Sequence, residues 1–197
     1  MAAAGGVTPS GPAARGPRVL GIDPGLAATG WAVLEPAGAR PLLIACGTLR
    51  TLAADERAAR LVLLARGLRD AIAAHRPAVA AVEEALVARN ARSALALGEA
   101  RGVALATAAA AGLAVYEYLP MHIKQAVTGY GHAEKAQVER MVSHLLGNGE
   151  PPGSSHAADA IAVALCHLGH GGIPRAAARA RGSARAAWTA FAAGRAR

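Results

Sequence analysis

The sequence predicts an α/β domain in which helices flank a mixed five-stranded sheet. Two observations predict it. Five short apolar runs are punctuated by glycine, proline or an acid, and longer segments of helical periodicity alternate with the later runs. The order strand–strand–strand–helix–strand–helix–strand–helices then calls for one sheet with helices on its faces.

Each element has its own signal. Val19–Asp23 is an apolar strand ending in an acid and a Pro-Gly turn. Gly30–Leu34 and Pro41–Leu49 are the next two runs, separated by Pro36, Gly38 and Pro41, and so read as an antiparallel meander. Ala54–His75 is helical, with Leu61, Leu64, Leu68 and Ile72 on one face and Pro77 as its stop. Ala78–Glu83 is a strand that again ends in acid. Ala91–Ala111 reads as a helix whose Gly98 and Gly102 allow close approach of another element, either in this chain or in a second subunit. Val115–Tyr118 is the fifth strand. Helices follow at Met121–Thr128 and Glu134–Leu146, then a Gly/Pro/Ser loop, then a last helix at His156–His167. Residues 1–17 read as a flexible arm, 18–169 as the folded domain and 170–197 as a basic C-terminal tail.

Composition excludes some classes of protein. The longest apolar stretch, Val103 to Val115, is well short of the roughly 20 residues a membrane span needs. The N-terminal segment lacks the charged leader and leucine-rich middle of a secretory signal. Two cysteines, Cys46 and Cys166, cannot build a disulfide framework, and their apolar surroundings predict buried thiols. A cytoplasmic protein that binds no membrane is expected. The net charge of +8 looks like a nucleic-acid signal, but its distribution weakens it. All 13 acids lie between Asp23 and Asp159, while Arg15, Arg18 and six arginines from Arg175 onward lie outside that stretch. Without those eight, 13 cationic residues face 13 acids, so the body is formally neutral. The basic ends are either phosphate-attracting arms or solvated tails.

Chemistry is better sought in an acidic constellation. Asp23 and Glu83 each stand where an apolar strand gives out, so they meet if their strands are neighbours. His156 and Asp159 are three residues apart on one helix face and are expected in its first turn, capped by Ser154 or Ser155. Taken singly, each has an ordinary explanation as a surface acid, a first-turn helix acid or a capping histidine. Taken together they suit phosphodiester hydrolysis, in which divalent cations held by a few carboxylates place the attacking water and stabilise the leaving oxygen. Without metal, such carboxylates repel one another.

The blocks GIDPGLAATGWAVLE, VEEALVARNARSALALGEARG, TGYGHAEKAQVERMV and HAADAIAVALCH, taken in order, resemble the RuvC family of Holliday-junction resolvases across about Arg18–His167. The resemblance implies a ribonuclease-H-like fold and a homodimer that nicks a four-way DNA junction symmetrically during recombination and repair. It further implies two Mg²⁺ per subunit, replaceable by Mn²⁺, and a branch-migration helicase complex as partner. By the same resemblance Asp23, Glu83 and Asp159 are the catalytic, metal-binding carboxylates. His156 stands where many members carry a fourth aspartate and others histidine, as a metal ligand or a water-positioning base. Lys124 and Lys135, the only two lysines in the chain, match family lysines near the DNA backbone. Many members have a base-stacking aromatic three positions after the glutamate. Here it is Leu86, which can wedge between bases but has no π-face, so altered junction opening is expected.

Three other readings compete. GIDPGLAATG also looks like the first phosphate loop of sugar-kinase and actin-like ATPases, but the second such domain and loop are missing. The remaining two keep the fold: a junction-binding module that does not cleave, and a nuclease acting on RNA-containing substrates.

Overall fold

In the computed structural model, the described residues are 16–38, 40–84, 90–147 and 153–169. The strands are β1 (Val19–Asp23), β2 (Ala28–Glu35), β3 (Leu42–Arg50), β4 (Val79–Glu83) and β5 (Ala114–Tyr118). The helices are α1 (Arg57–His75), α2 (Ala91–Ala110), α3 (Pro120–Thr128), α4 (Lys135–Leu146) and α5 (Ser155–Gly169). The sheet order is β3-β2-β1-β4-β5, with β1–β2 and β2–β3 antiparallel and β1–β4 and β4–β5 parallel. This is the mixed five-stranded sheet that the element order predicts.

Strand alternation sorts the core onto two faces. Leu20, Ile22, Val33 and Val82 pack with Leu68 of α1 and Ala104 of α2. Val19, Ala32, Leu34, Ala81, Tyr116 and Tyr118 pack beneath α3, α4 and α5. Helix α5 is the most deeply set, with ten consecutive-turn residues buried from Ala157 to His167 save Asp159. It crosses the sheet so closely that two glycines beneath it have no room for a side chain. A Cβ on Gly21 would lie 2.1 Å from the Ala160 carbonyl oxygen, and one on Gly30 would lie 1.9 Å from that of His156. At the far end of α5 the buried Tyr118 hydroxyl and His167 Nδ1 are 2.8 Å apart, tying the helix to β5.

Four expectations need correction. Helix α1 begins at Arg57 rather than Ala54, because the preceding residues form a turn in which the Asp55 N–H donates to the Leu52 carbonyl. Cys166 is buried but Cys46 is only half buried, since β3 is an edge strand with one side uncovered. Nothing lies within 4 Å of a Cβ built on Gly98 or Gly102, so no described element of the chain uses their small size. Asp159 opens the second turn of α5 rather than the first, because Ser154 caps the helix and Ser155 begins it. The Ser154 carbonyl accepts from the Ala158 N–H at 3.0 Å, and its Oγ lies 3.4 Å from the Ala157 nitrogen.

Candidate active site

Parallel pairing of β1 with β4, with Ile22 opposite Val82, brings the residues that follow, Asp23 and Glu83, side by side. The apolar strands end there because the chain leaves the core: Ile22 and Val82 are fully buried, Asp23 and Glu83 only partly. On the other side of β1, the close approach of α5 to Gly30 of β2 sets His156 over the sheet. Asp23 therefore stands between Glu83 and His156. A cap contact steadies the arrangement, as the hydroxyls of Thr48 on β3 and Ser154 are hydrogen-bonded to each other.

His156 Nδ1 is 3.1 Å from Asp23 Oδ2, and the Lys135 ammonium donates to Asp159 Oδ2 at 2.7 Å. These groups open onto a cleft of about 410 Å³ that also includes Glu83 and Lys124, with Pro120, Ile123, Val138 and Ala162 among its walls. The cleft therefore gathers Asp23, Glu83, His156, Asp159, Lys124 and Lys135. Leu86 lies outside the described residues.

The carboxylates crowd one another. Burial raises the Glu83 carboxyl to about 7, and the charges of Asp23 and Asp159 and a hydrogen bond to Asp23 push it the same way, against Lys135. Burial also raises Asp23. The hydrogen bond from His156 opposes this, the Asp159 charge adds to it, and the charges of His156 and Lys135 oppose it again. Lys135 is pulled down by burial, but its bond to Asp159 and the charges of Asp159, Glu139 and Asp23 outweigh that and leave it raised.

The donor set fits a divalent cation. One ligand atom from each of Asp23, His156 and Asp159 lies within 4.8 Å of the other two. That spacing lets the three groups face one common ion, with side-chain adjustment to reach bonds of about 2.1 Å. Carboxylate oxygens suit Mg²⁺ and Mn²⁺.

Sequence reasoning missed three features: the Lys135–Asp159 pair, the Thr48–Ser154 contact and the glycine seats of α5. Only the glycines left a signal, as small residues inside the strand blocks GID and ATG.

A protein-family model described as "Crossover junction endodeoxyribonuclease RuvC" matches residues 19–167. The protein of that name from Parvibaculum lavamentivorans is 53% identical over 152 residues, covering 77% of this chain and 86% of that one. Its namesake from Pelotomaculum thermopropionicum is 46% identical over 152 residues, covering 77% and 93%. Among solved structures, T. thermophilus RuvC in complex with Holliday junction substrate is similar at a TM-score of 0.75 and 35% identity, over 80% of this chain and 96% of that one. The yeast mitochondrial Holliday junction resolvase Ydc2 shares the fold at a TM-score of 0.56 and 12% identity, over 77% and 78%.

Proposed function

This chain belongs to the RuvC family of crossover junction endodeoxyribonucleases, and from that premise we propose that it resolves four-way DNA junctions by metal-dependent symmetric nicking at the Asp23 cleft. It is an endodeoxyribonuclease that acts on Holliday junctions in recombination and repair. The observation that carries the residue assignment is the meeting of Asp23, Glu83, His156 and Asp159 in one cleft, from two strand ends and one helix.

Asp23, Glu83 and Asp159 would hold two divalent ions, with His156 helping at one of them. Mg²⁺ is the proposed ion, with Mn²⁺ able to substitute. A bound ion would act as a Lewis acid, lowering the pKa of the attacking water and stabilising charge on the leaving oxygen. The protein's part is positional. Deep packing of α5 fixes His156 and Asp159 relative to the sheet, so the ligands need little rearrangement on binding. Lys124 and Lys135 at the cleft meet backbone phosphates as point charges. Ile123 and Val138 form part of an apolar wall beside these charged groups.

The active form proposed is a homodimer, since symmetric nicking of two strands calls for two sites related by a two-fold axis. The exposed face of α2 around Leu95, Gly98 and Gly102 supports that reading by offering an uncovered surface. A branch-migration helicase complex is the proposed partner. Among the described residues no helix is long and apolar enough to cross a membrane, and the proposed site of action is the cytoplasm.

The test is a gel assay on a synthetic four-way junction with and without Mg²⁺, beside an RNA–DNA hybrid of equal length. Paired symmetric nicks that need Mg²⁺ are expected on the junction alone. Binding without nicks would favour the non-cleaving module, and preferential cleavage of the hybrid would favour the RNA-directed reading.

A further inference from the structure

The Lys135–Asp159 ion pair occupies a carboxylate that the proposed metal centre needs. Lys135 Nζ lies 2.7 Å from Asp159 Oδ2, and Asp159 offers a ligand atom to the cluster with Asp23 and His156. An ammonium bonded to Asp159 Oδ2 and a cation at the same carboxylate place two positive charges at close range, so each weakens the other's hold. The more mobile of the two partners is the one that yields. Asp159 is fixed on the buried helix α5, its side chain 26% exposed, whereas that of Lys135 is 55% exposed at the start of α4. Four flexible side-chain bonds let the ammonium swing away while α4 stays in place.

Resting on the metal-centre reading above, we propose that Lys135 is the counter-ion of Asp159 in the metal-free protein and exchanges it for a DNA phosphate when the junction enters, freeing Asp159 for the divalent ion. The exchange couples the two ligands. DNA removes the ammonium that competes with the metal, and the metal displaces the ammonium toward DNA. Each raises the affinity for the other by the same factor, as linkage requires. The absence of DNA thus keeps the centre weakly loaded.

The experiment measures Mn²⁺ binding to the full chain by electron paramagnetic resonance, without DNA, for the parent and for Lys135→Met, Lys135→Gln and Lys124→Met. Lys124 serves as the control because it borders the same cleft and, among the described residues, makes no hydrogen bond or ion pair to Asp159. Both Lys135 variants are expected to bind Mn²⁺ roughly fivefold more tightly than the parent, a size set by a partly exposed ion pair plus the lost repulsion. Lys124→Met is expected to gain clearly less. A second arm measures junction affinity by fluorescence anisotropy with and without Ca²⁺, and the Ca²⁺ enhancement should shrink in the Lys135 variants.

Equal or weaker Mn²⁺ binding by both Lys135 variants overturns the exchange, because nothing was then competing for Asp159. An equal gain from Lys124→Met also overturns it, since general charge would explain the effect. A Ca²⁺ enhancement that stays at the parent level removes the coupling. If the parent binds no Mn²⁺ at the cleft, and Asp159→Asn changes nothing, the metal-centre reading itself fails and takes the exchange with it.

Discussion

At the scale of single residues, the site is a set of carboxylates whose mutual repulsion the fold must hold in check. Asp23 is central because it stands between Glu83 and His156. Asp23→Asn removes a ligand charge while keeping the side chain's shape, so it should bind junctions like the parent and lose Mg²⁺-dependent nicking by more than about a hundredfold. A variant nicking at the parent rate in a gel assay would remove Asp23 from the site. Glu83 carries a pH consequence. Its carboxyl, ordinarily near 4.5, is raised to about 7, so across that interval the folded protein holds a proton that the unfolded chain has released. Its contribution to stability is complete below about 4.5 and is lost as pH rises through 7. The metal-free protein should therefore melt progressively lower as pH rises across that range, and Mg²⁺ should raise the midpoint more at pH 8 than at pH 5. Differential scanning fluorimetry in EDTA and in Mg²⁺ checks this, and an equal Mg²⁺ effect at both pH values would contradict the crowding account.

At the scale of elements, α5 is what turns four separated residues into one site. Its seat depends on Gly21 and Gly30, where any side chain would collide with the backbone of α5. Gly30→Ala should destabilise the fold by about 1–3 kcal/mol through overpacking, and should lower nicking because the His156 carbonyl must move. A parent-like melting midpoint together with a parent-like nicking rate would show that α5 is not seated this way. The cap acts more gently. Ser154→Ala should cost about 1 kcal/mol in thermal unfolding, since Ser154 both caps α5 and meets Thr48 on β3. Much of this level was legible beforehand. Asp23 and Glu83 could be paired because apolar strands that end in acid expose that acid at the strand ends, which meet where the strands are neighbours. The Lys135–Asp159 pair could not, because 24 residues separate its members, one on α4 and one on α5, and no local period links them. Nor could the contact between Thr48 and Ser154, 106 residues apart, which exists only because α5 lies across the sheet toward its edge strand.

At the scale of the whole molecule, charge distribution and assembly govern how a junction is held. The body is formally neutral and places its two lysines at the cleft, while six arginines lie from Arg175 to Arg197. Deleting residues 174–197 should lower the slope of log affinity against log salt by about one or more, as each lost phosphate contact removes about 0.9. An unchanged slope would leave that segment without a part in binding. The α2 face gives a test of assembly. Leu95 is 59% exposed there, beside the two uncovered glycines. Leu95→Glu should weaken the dimer in sedimentation equilibrium, and a parent-like dissociation constant would move the interface elsewhere.

The sequence by itself determined the sheet, its element order and the carboxylates, because strand and helix periods, turn residues and acids at strand ends are local properties of a chain. It also carried the family resemblance, since the four motif blocks are contiguous. Only the tertiary structure decided which groups meet. That Asp159 is bound by Lys135, that Asp23 is bound by His156, and that Cys46 is half exposed on an edge strand follow from how α4 and α5 pack on the sheet. Electrostatic partnership depends on distances of a few ångströms between residues far apart in sequence, and packing alone sets those distances.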